Sequence, residues 1–166
     1  MKKILISGCL LGQKVRYHGG DAFCNDPIIK KWQQEGRLVA ICPEVSAGLS
    51  VPRESSEIVG GTGIDVLHKS AKVLSRTGFD KTEAFIKGAK HALSIALKHN
   101  IKIAILKKNS PSCGNTTVYD GTFSGKITDG SGVTAALLIE NSIHVFNDDQ
   151  LNEALEYLTS IEVNAD

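Results

Sequence analysis

Four cysteines stand at positions 9, 24, 42 and 113 of a 166-residue chain, and no two form a C-x-x-C pair. Zinc sites usually take two thiolates from one turn, and ferredoxin-like clusters place several cysteines in one short run. Lone cysteines on separate loops suit a cluster that leaves one iron without a protein ligand, open to substrate. The competing reading is that each cysteine is a small buried hydrophobe. Glu44 follows Cys42 by two residues, and Ser110 precedes Cys113 by three. A carboxylate beside a metal group can carry protons, and a hydroxyl can orient water. Equally, Glu44 fits a loop carboxylate paired with an arginine, and S-P-S fits a turn or helix cap.

For these groups to meet, the chain must fold them together. Residues 2–7 form a dense β-branched run ending at Gly8, as a buried parallel strand requires. Residues 38–42, 101–106 and 142–146 read as three further strands. Asp26 caps and Pro27 opens an amphipathic helix over 28–35 that stops at Gly36. The longest helix covers 80–99, with Phe85, Ala89, Ala92 and Ala96 on one face. A helix over 132–140 follows, and a last one capped by Asp148 or Asp149 runs to about Tyr157. Strands alternating with helices predict an α/β fold, a Rossmann-like open and mostly parallel sheet with flanking helices.

Small β-hairpin inserts interrupt that pattern. Residues 43–67 are punctuated by Gly and Pro, leaving room for short strands near Ile58 and Val66. Residues 117–123 predict a hairpin around Asp120-Gly121. Residues 1–166 then make a single α/β domain. Ligands of such a sheet sit beyond the carboxyl ends of its strands. The first strand delivers Cys9 there, the second Cys42, and the third, through Lys107 and Lys108, Cys113.

Composition narrows the partners. Lys plus Arg is 19 and Asp plus Glu 18, so no basic field recruits polymeric nucleic acid or an anionic membrane. No stretch approaches the roughly 20 apolar residues of a membrane span. The start, MKKILISGCLLG, is too short and Gly-interrupted for a secretion signal and reads as strand one. A soluble, cytoplasmic protein is expected, in which thiols stay reduced and four cysteines point to metal or catalysis more than disulfides.

The surroundings of the cysteines add a resemblance. S-G-C-L-L-G-x-x-V-R-Y (Ser7 to Tyr17), C-P-E-V-x-x-G-L-S-x-P-R-x-x-x-E-I (Cys42 to Ile58), S-P-S-C-G (Ser110 to Gly114), F-S-G (Phe123 to Gly125) and G-V-T-A-A-L-L (Gly132 to Leu138) recur in order. Together they resemble the bacterial thiouracil desulfurase family over roughly residues 1–146. The resemblance implies a [4Fe-4S] cluster held by Cys9, Cys42 and Cys113, with Glu44 as catalytic acid/base and Ser110 as catalytic serine. It implies hydrolysis of the C=S group of a thiolated pyrimidine, thiouracil or a 4-thiouridine monophosphate-like nucleotide, to C=O with release of hydrogen sulfide. Arg16, Tyr17, Arg53 and Ser112 are the candidate substrate contacts, and Lys107 a further anion contact.

Gly130 to Gly132 opens a helix whose free N–H groups suit phosphate. Cys24 falls outside the motifs. His18, Ala47 and Glu54-Ser55-Ser56 depart from the family pattern; none is a proposed ligand, Glu44 or Ser110, and the departures leave room for a different thiolated molecule as substrate. The rival from another class is a non-catalytic metal- or nucleotide-binding module, its thiols holding zinc or a sensing cluster. A thiol redox protein is disfavoured by the missing C-x-x-C.

Overall fold

Runs of consecutive apolar residues are stable as strands only where both sheet faces are covered, and this chain covers both. The computed structural model describes residues 1–165; Asp166, the end of the expected domain, lies outside them. β1 (Ile4–Ser7) passes into a 3-10 turn (Gly8–Leu11), then α1 (Pro27–Gln34), β2 (Leu38–Ile41), α2 (Pro43–Ser46), β3 (Ser56–Val59), α3 (Gly63–Leu67) and β4 (Lys72–Ser75). There follow α4 (Thr82–Lys98), β5 (Ile103–Leu106), β6 (Thr117–Tyr119), β7 (Ile127–Asp129), α5 (Val133–Glu140), β8 (His144–Asn147) and α6 (Leu151–Val163).

The central sheet has the order β2-β1-β5-β8, every pair parallel, in register Ile4 with Leu38, Leu5 with Ala104 and Ile103 with His144. Alternate residues serve opposite faces. Ile4, Ile6, Ile103 and Ile105 pack on Ile29 and Trp32 of α1 and on Leu151, Ala154 and Leu158 of α6. Leu5, Ala104 and Leu106 pack on Ala92 and Ala96 of α4 and on Ala135 and Leu138 of α5. The small residues of α4 let that helix lie close to the sheet. The result is the expected α/β fold, three layers with a parallel sheet between helices. Strand order reverses between β1 and β5, which opens a crevice at their carboxyl ends.

Local expectations fared unevenly. Asp26 caps α1 as read, its Oδ1 accepting from the Ile28 N–H at 2.8 Å. Val66 is helical rather than a strand. The Thr62–Asp65 capping box nucleates α3, and β3 pairs instead with β4, antiparallel, Ile58 opposite Val73. The later hairpin is wider than expected, β6 and β7 being joined by residues 120–126. Neither Asp148 nor Asp149 caps α6. Asp148 receives the Lys108 N–H and the Lys107 Nζ, Asp149 receives the Lys108 Nζ, and the helix runs past Tyr157 to Val163. No helix among the described residues is long and apolar enough to cross a membrane.

Candidate active site

Each thiol is fixed by the element that begins where its strand ends. Cys9 lies in the 3-10 turn after β1, its carbonyl accepting from the Gly12 and Ala22 N–H groups at 3.2 and 3.0 Å. Gly12 closes that turn at φ +91°, a conformation costly for any other residue. Cys42 is the N-cap of α2, with Pro43 in the first helical position. Cys113 sits in the turn after β5, where Ser110 Oγ accepts the N–H groups of Ser112 and Cys113, both at 3.1 Å.

That turn is gripped by α5. Val133 N–H donates to Pro111 O at 2.8 Å, Thr134 N–H to Ser112 O at 2.9 Å and Gly132 N–H to Gly114 O at 2.7 Å. A Cβ on Gly132 would lie 2.5 Å from the Ser112 carbonyl carbon, so only glycine permits the approach. The free N–H groups expected here for phosphate are therefore spent, since Gly130 N–H also donates to Thr116 O. Ser112, expected to touch substrate, is 1% exposed and absent from the cavity lining. Its hydroxyl bonds that of Thr134 at 2.8 Å and ties turn to helix.

The remaining expected residues meet. A cavity of 490 Å³, within the usual range for small-molecule sites, is lined by Cys9, Cys42, Cys113, Glu44 and Ser110, and also by Arg16, Tyr17 and Arg53. Cys24 stays outside it, half-buried against the core under α1. Among the described residues no three His, Cys, Asp or Glu groups gather closely enough to hold one metal ion. A zinc ion draws its thiolates to about 2.3 Å from one point. Here the three thiols line one cavity from three separate turns, a soft donor set that suits iron–sulfur ligation.

Burial dominates the electrostatics. It pushes the Cys9 thiol up to about 11 and the Cys113 thiol up to about 12, and it raises Cys42 as well. Arg16 partly opposes the effect at Cys9, the Ser7 hydroxyl at Cys113 and the Val45 amide at Cys42. Burial also raises the Glu44 carboxyl, against Arg53 and Arg16, which favour its ionised form. Arg53 Nε reaches Glu44 Oε1 at 3.4 Å, while its other nitrogens donate to Ser50 O and Val15 O at 3.0 Å each. The Arg53 guanidinium thus orients Glu44. Lys107 pairs with Asp148, and Lys108 with Asp149. Arg16 and Arg76 are cavity-lining cations without a carboxylate partner among the described residues.

Sequence reading gave no role to Ser7, Gly88, Glu57, Arg76 or Tyr119, although Ser7 and Glu57 lie inside its motifs. Ser7 Oγ accepts the Lys107 N–H at 3.0 Å and so ties the end of β1 to the end of β5. Gly88 lies inside α4, and a glycine in the best helix of a chain is itself a signal of close packing. A Cβ there would fall 2.2 Å from Pro43 O, the residue between Cys42 and Glu44. Gly88→Ala is therefore expected to push the C-P-E segment away from α4. It should cost roughly 1–3 kcal/mol by overpacking, outweighing the helix-propensity gain of about 1 kcal/mol. Denaturant unfolding reads the cost directly, and unchanged stability would contradict the close approach.

Comparisons with known proteins follow the same lines. A family model described as 2-thiouracil desulfurase matches residues 4–150. The uncharacterized protein YbbK of Bacillus subtilis (strain 168) is 47% identical over 152 residues, 92% of this chain and 99% of that protein. A solved structure of the [4Fe-4S]-dependent thiouracil desulfidase TudS superposes with a TM-score of 0.87 at 40% identity, covering 96% of this chain and 99% of that one.

Proposed function

Because this chain belongs to the 2-thiouracil desulfurase family, we propose that it is an iron–sulfur-dependent desulfidase acting on a thiolated pyrimidine, as free base or nucleotide. The observation that carries the proposal is the meeting of three thiols, a carboxylate and a hydroxyl on one cavity, although they lie on turns 33 and 71 residues apart. The likeness to a [4Fe-4S]-dependent desulfidase supports the same cofactor here. Cys9, Cys42 and Cys113 would hold it. Bound there, it supplies a soft Lewis-acidic iron to the thiocarbonyl sulfur, and three ligands leave one of four irons without a protein side chain.

The reaction consumes one water. Its oxygen forms the new bond to carbon, the carbon–sulfur bond breaks, and both water protons end on sulfur as hydrogen sulfide. The substrate carbon changes no oxidation state. Glu44 takes a proton from water and later delivers one to sulfur. Arg53 holds one Glu44 oxygen, which leaves Oε2 for this exchange. Ser110 Oγ already accepts two N–H groups, so the capacity it retains is to donate its own proton. It orients the water or caps the departing sulfur. Arg16, which makes no salt bridge among the described residues, suits the anionic end of a nucleotide, with Tyr17 beside it, ring centroid 5.9 Å from the guanidinium carbon.

The test is anaerobic reconstitution with iron and sulfide, followed by sulfide release from 2-thiouracil, 4-thiouracil and 4-thiouridine monophosphate. In water enriched with the heavy oxygen isotope, one labelled atom should enter the product carbonyl. A cluster-loaded protein that releases no sulfide from any of them overturns the enzymatic reading and leaves a binding module.

A further inference from the structure

Two stretches singled out by the sequence, the E-I that closes the second motif and the F-S-G motif, take no part in the chemistry above, yet the structure joins them. Glu57 on β3 is 6% exposed, and no cation pairs with it among the described residues. A buried carboxylate without a counter-ion is costly unless hydrogen bonds compensate it. Here Glu57 Oε1 accepts the Gly121 N–H at 3.0 Å and the Phe123 N–H at 3.1 Å. Charge-assisted bonds of this kind are the strong class.

The loop they hold is under tension. Phe123 sits at φ +54°, a region a bulky residue enters only when its surroundings impose it. Gly121, at φ +90°, lies so close to β3 that a Cβ would fall 2.5 Å from Ile58 O. Strain stored at a cavity wall calls for a functional reason, and Phe123 lines the cavity with Glu57 and Arg76. The Arg76 guanidinium carbon lies 5.4 Å from the centre of its ring, a cation–π distance. The ring is thus fixed by Glu57 through the backbone and by Arg76 at its face.

We propose that Glu57 is a positioning residue that fixes Phe123 as the aromatic wall against which a planar thiocarbonyl heterocycle stacks. The occupant rests on the desulfidase reading; the tethering of the loop does not. Stacking on a fixed ring strengthens binding without touching the reacting bond, so its loss raises KM and leaves kcat in place.

Four variants test this, each measured for kcat, KM and hydrogen exchange of the Gly121 and Phe123 amides. Glu57→Gln keeps an acceptor oxygen and should keep wild-type KM and amide protection. Glu57→Ala should expose both amides and raise KM about tenfold, as lost base–aromatic stacking does, with kcat within about twofold. Phe123→Ala should raise KM as much, and the double variant should be no worse than Phe123→Ala alone. Wild-type KM in Glu57→Ala or in Phe123→Ala, or additive effects in the double variant, overturns the proposal. Should Glu57→Ala not fold, Glu57→Asp, whose shorter side chain withdraws the oxygen from both amides, takes its place with the same expectations and the same overturning result. If the wild-type protein releases no sulfide from any thiopyrimidine, the desulfidase reading fails, while exchange at the two amides still reports whether Glu57 holds the loop.

Discussion

Glu44→Gln is expected to keep the cluster and lose turnover. The amide preserves the shape of the side chain and an oxygen for Arg53, and Glu44 is not among the three thiols, so cluster absorption should match wild type. A glutamine cannot shuttle protons, and removing a positioned acid/base typically costs 10²- to 10⁴-fold in rate. Substrate binding should change little, placing the loss in kcat. Equal turnover would refute the acid/base role while sparing the cofactor. The pH profile adds a second measure. Acting as a base, Glu44 must be ionised, so the rate rises with pH through its pKa. Arg53 favours the ionised form. Arg53→Met should therefore move that limb to higher pH, and an unmoved limb would assign it to another group.

Cys113→Ala, Cys9→Ala and Cys42→Ala should each reduce iron and acid-labile sulfide to background after reconstitution, whereas Cys24→Ala should load fully. On the proposed ligation, three thiols from three turns leave no spare thiolate, because Cys24 lies outside the cavity. The cluster-free protein offers an independent check. The folded Cys113 thiol is raised to about 12, so folded protein binds that proton more tightly than unfolded protein does. The stability it contributes is complete below the ordinary thiol pKa and is lost as pH rises toward 12. Cys113→Ala should flatten this alkaline decline in denaturant unfolding, and an unchanged slope would mean the thiol is not buried as described. Loading releases the protons these thiols hold, so cluster uptake should also be favoured by raising pH.

What was readable in advance divides along physical lines. β1 and β5 were legible because a strand covered on both faces is a dense apolar run, the half-exposed edge strand β2 because it keeps the same apolar composition, and their carboxyl ends placed the three cysteines on one rim. The helix carrying Glu44 was not: α2 has four residues, too few for periodicity to appear. Val66 was misassigned because the Gly and Pro punctuation was weighed without the Thr62–Asp65 box that starts a helix there. The phosphate expectation at Gly132 failed because a free N–H is a property of tertiary contact, and the S-P-S-C turn claims it. Glu57 stood inside a motif, yet its partners lie 64 and 66 residues away, a separation no local pattern encodes.

Spacing of the thiols also bears on when the protein can mature. A C-x-x-C hook can capture metal as soon as a few residues leave the ribosome. Here the last of the proposed ligands is residue 113 of 166, and its turn is held by backbone bonds to α5, which is translated later still. On the reading proposed above, cluster delivery waits until translation has passed α5, and the assembly machinery meets a folded cavity rather than a nascent peptide. A chain truncated before Val133 should emerge with all three cysteines and no site to hold a cluster.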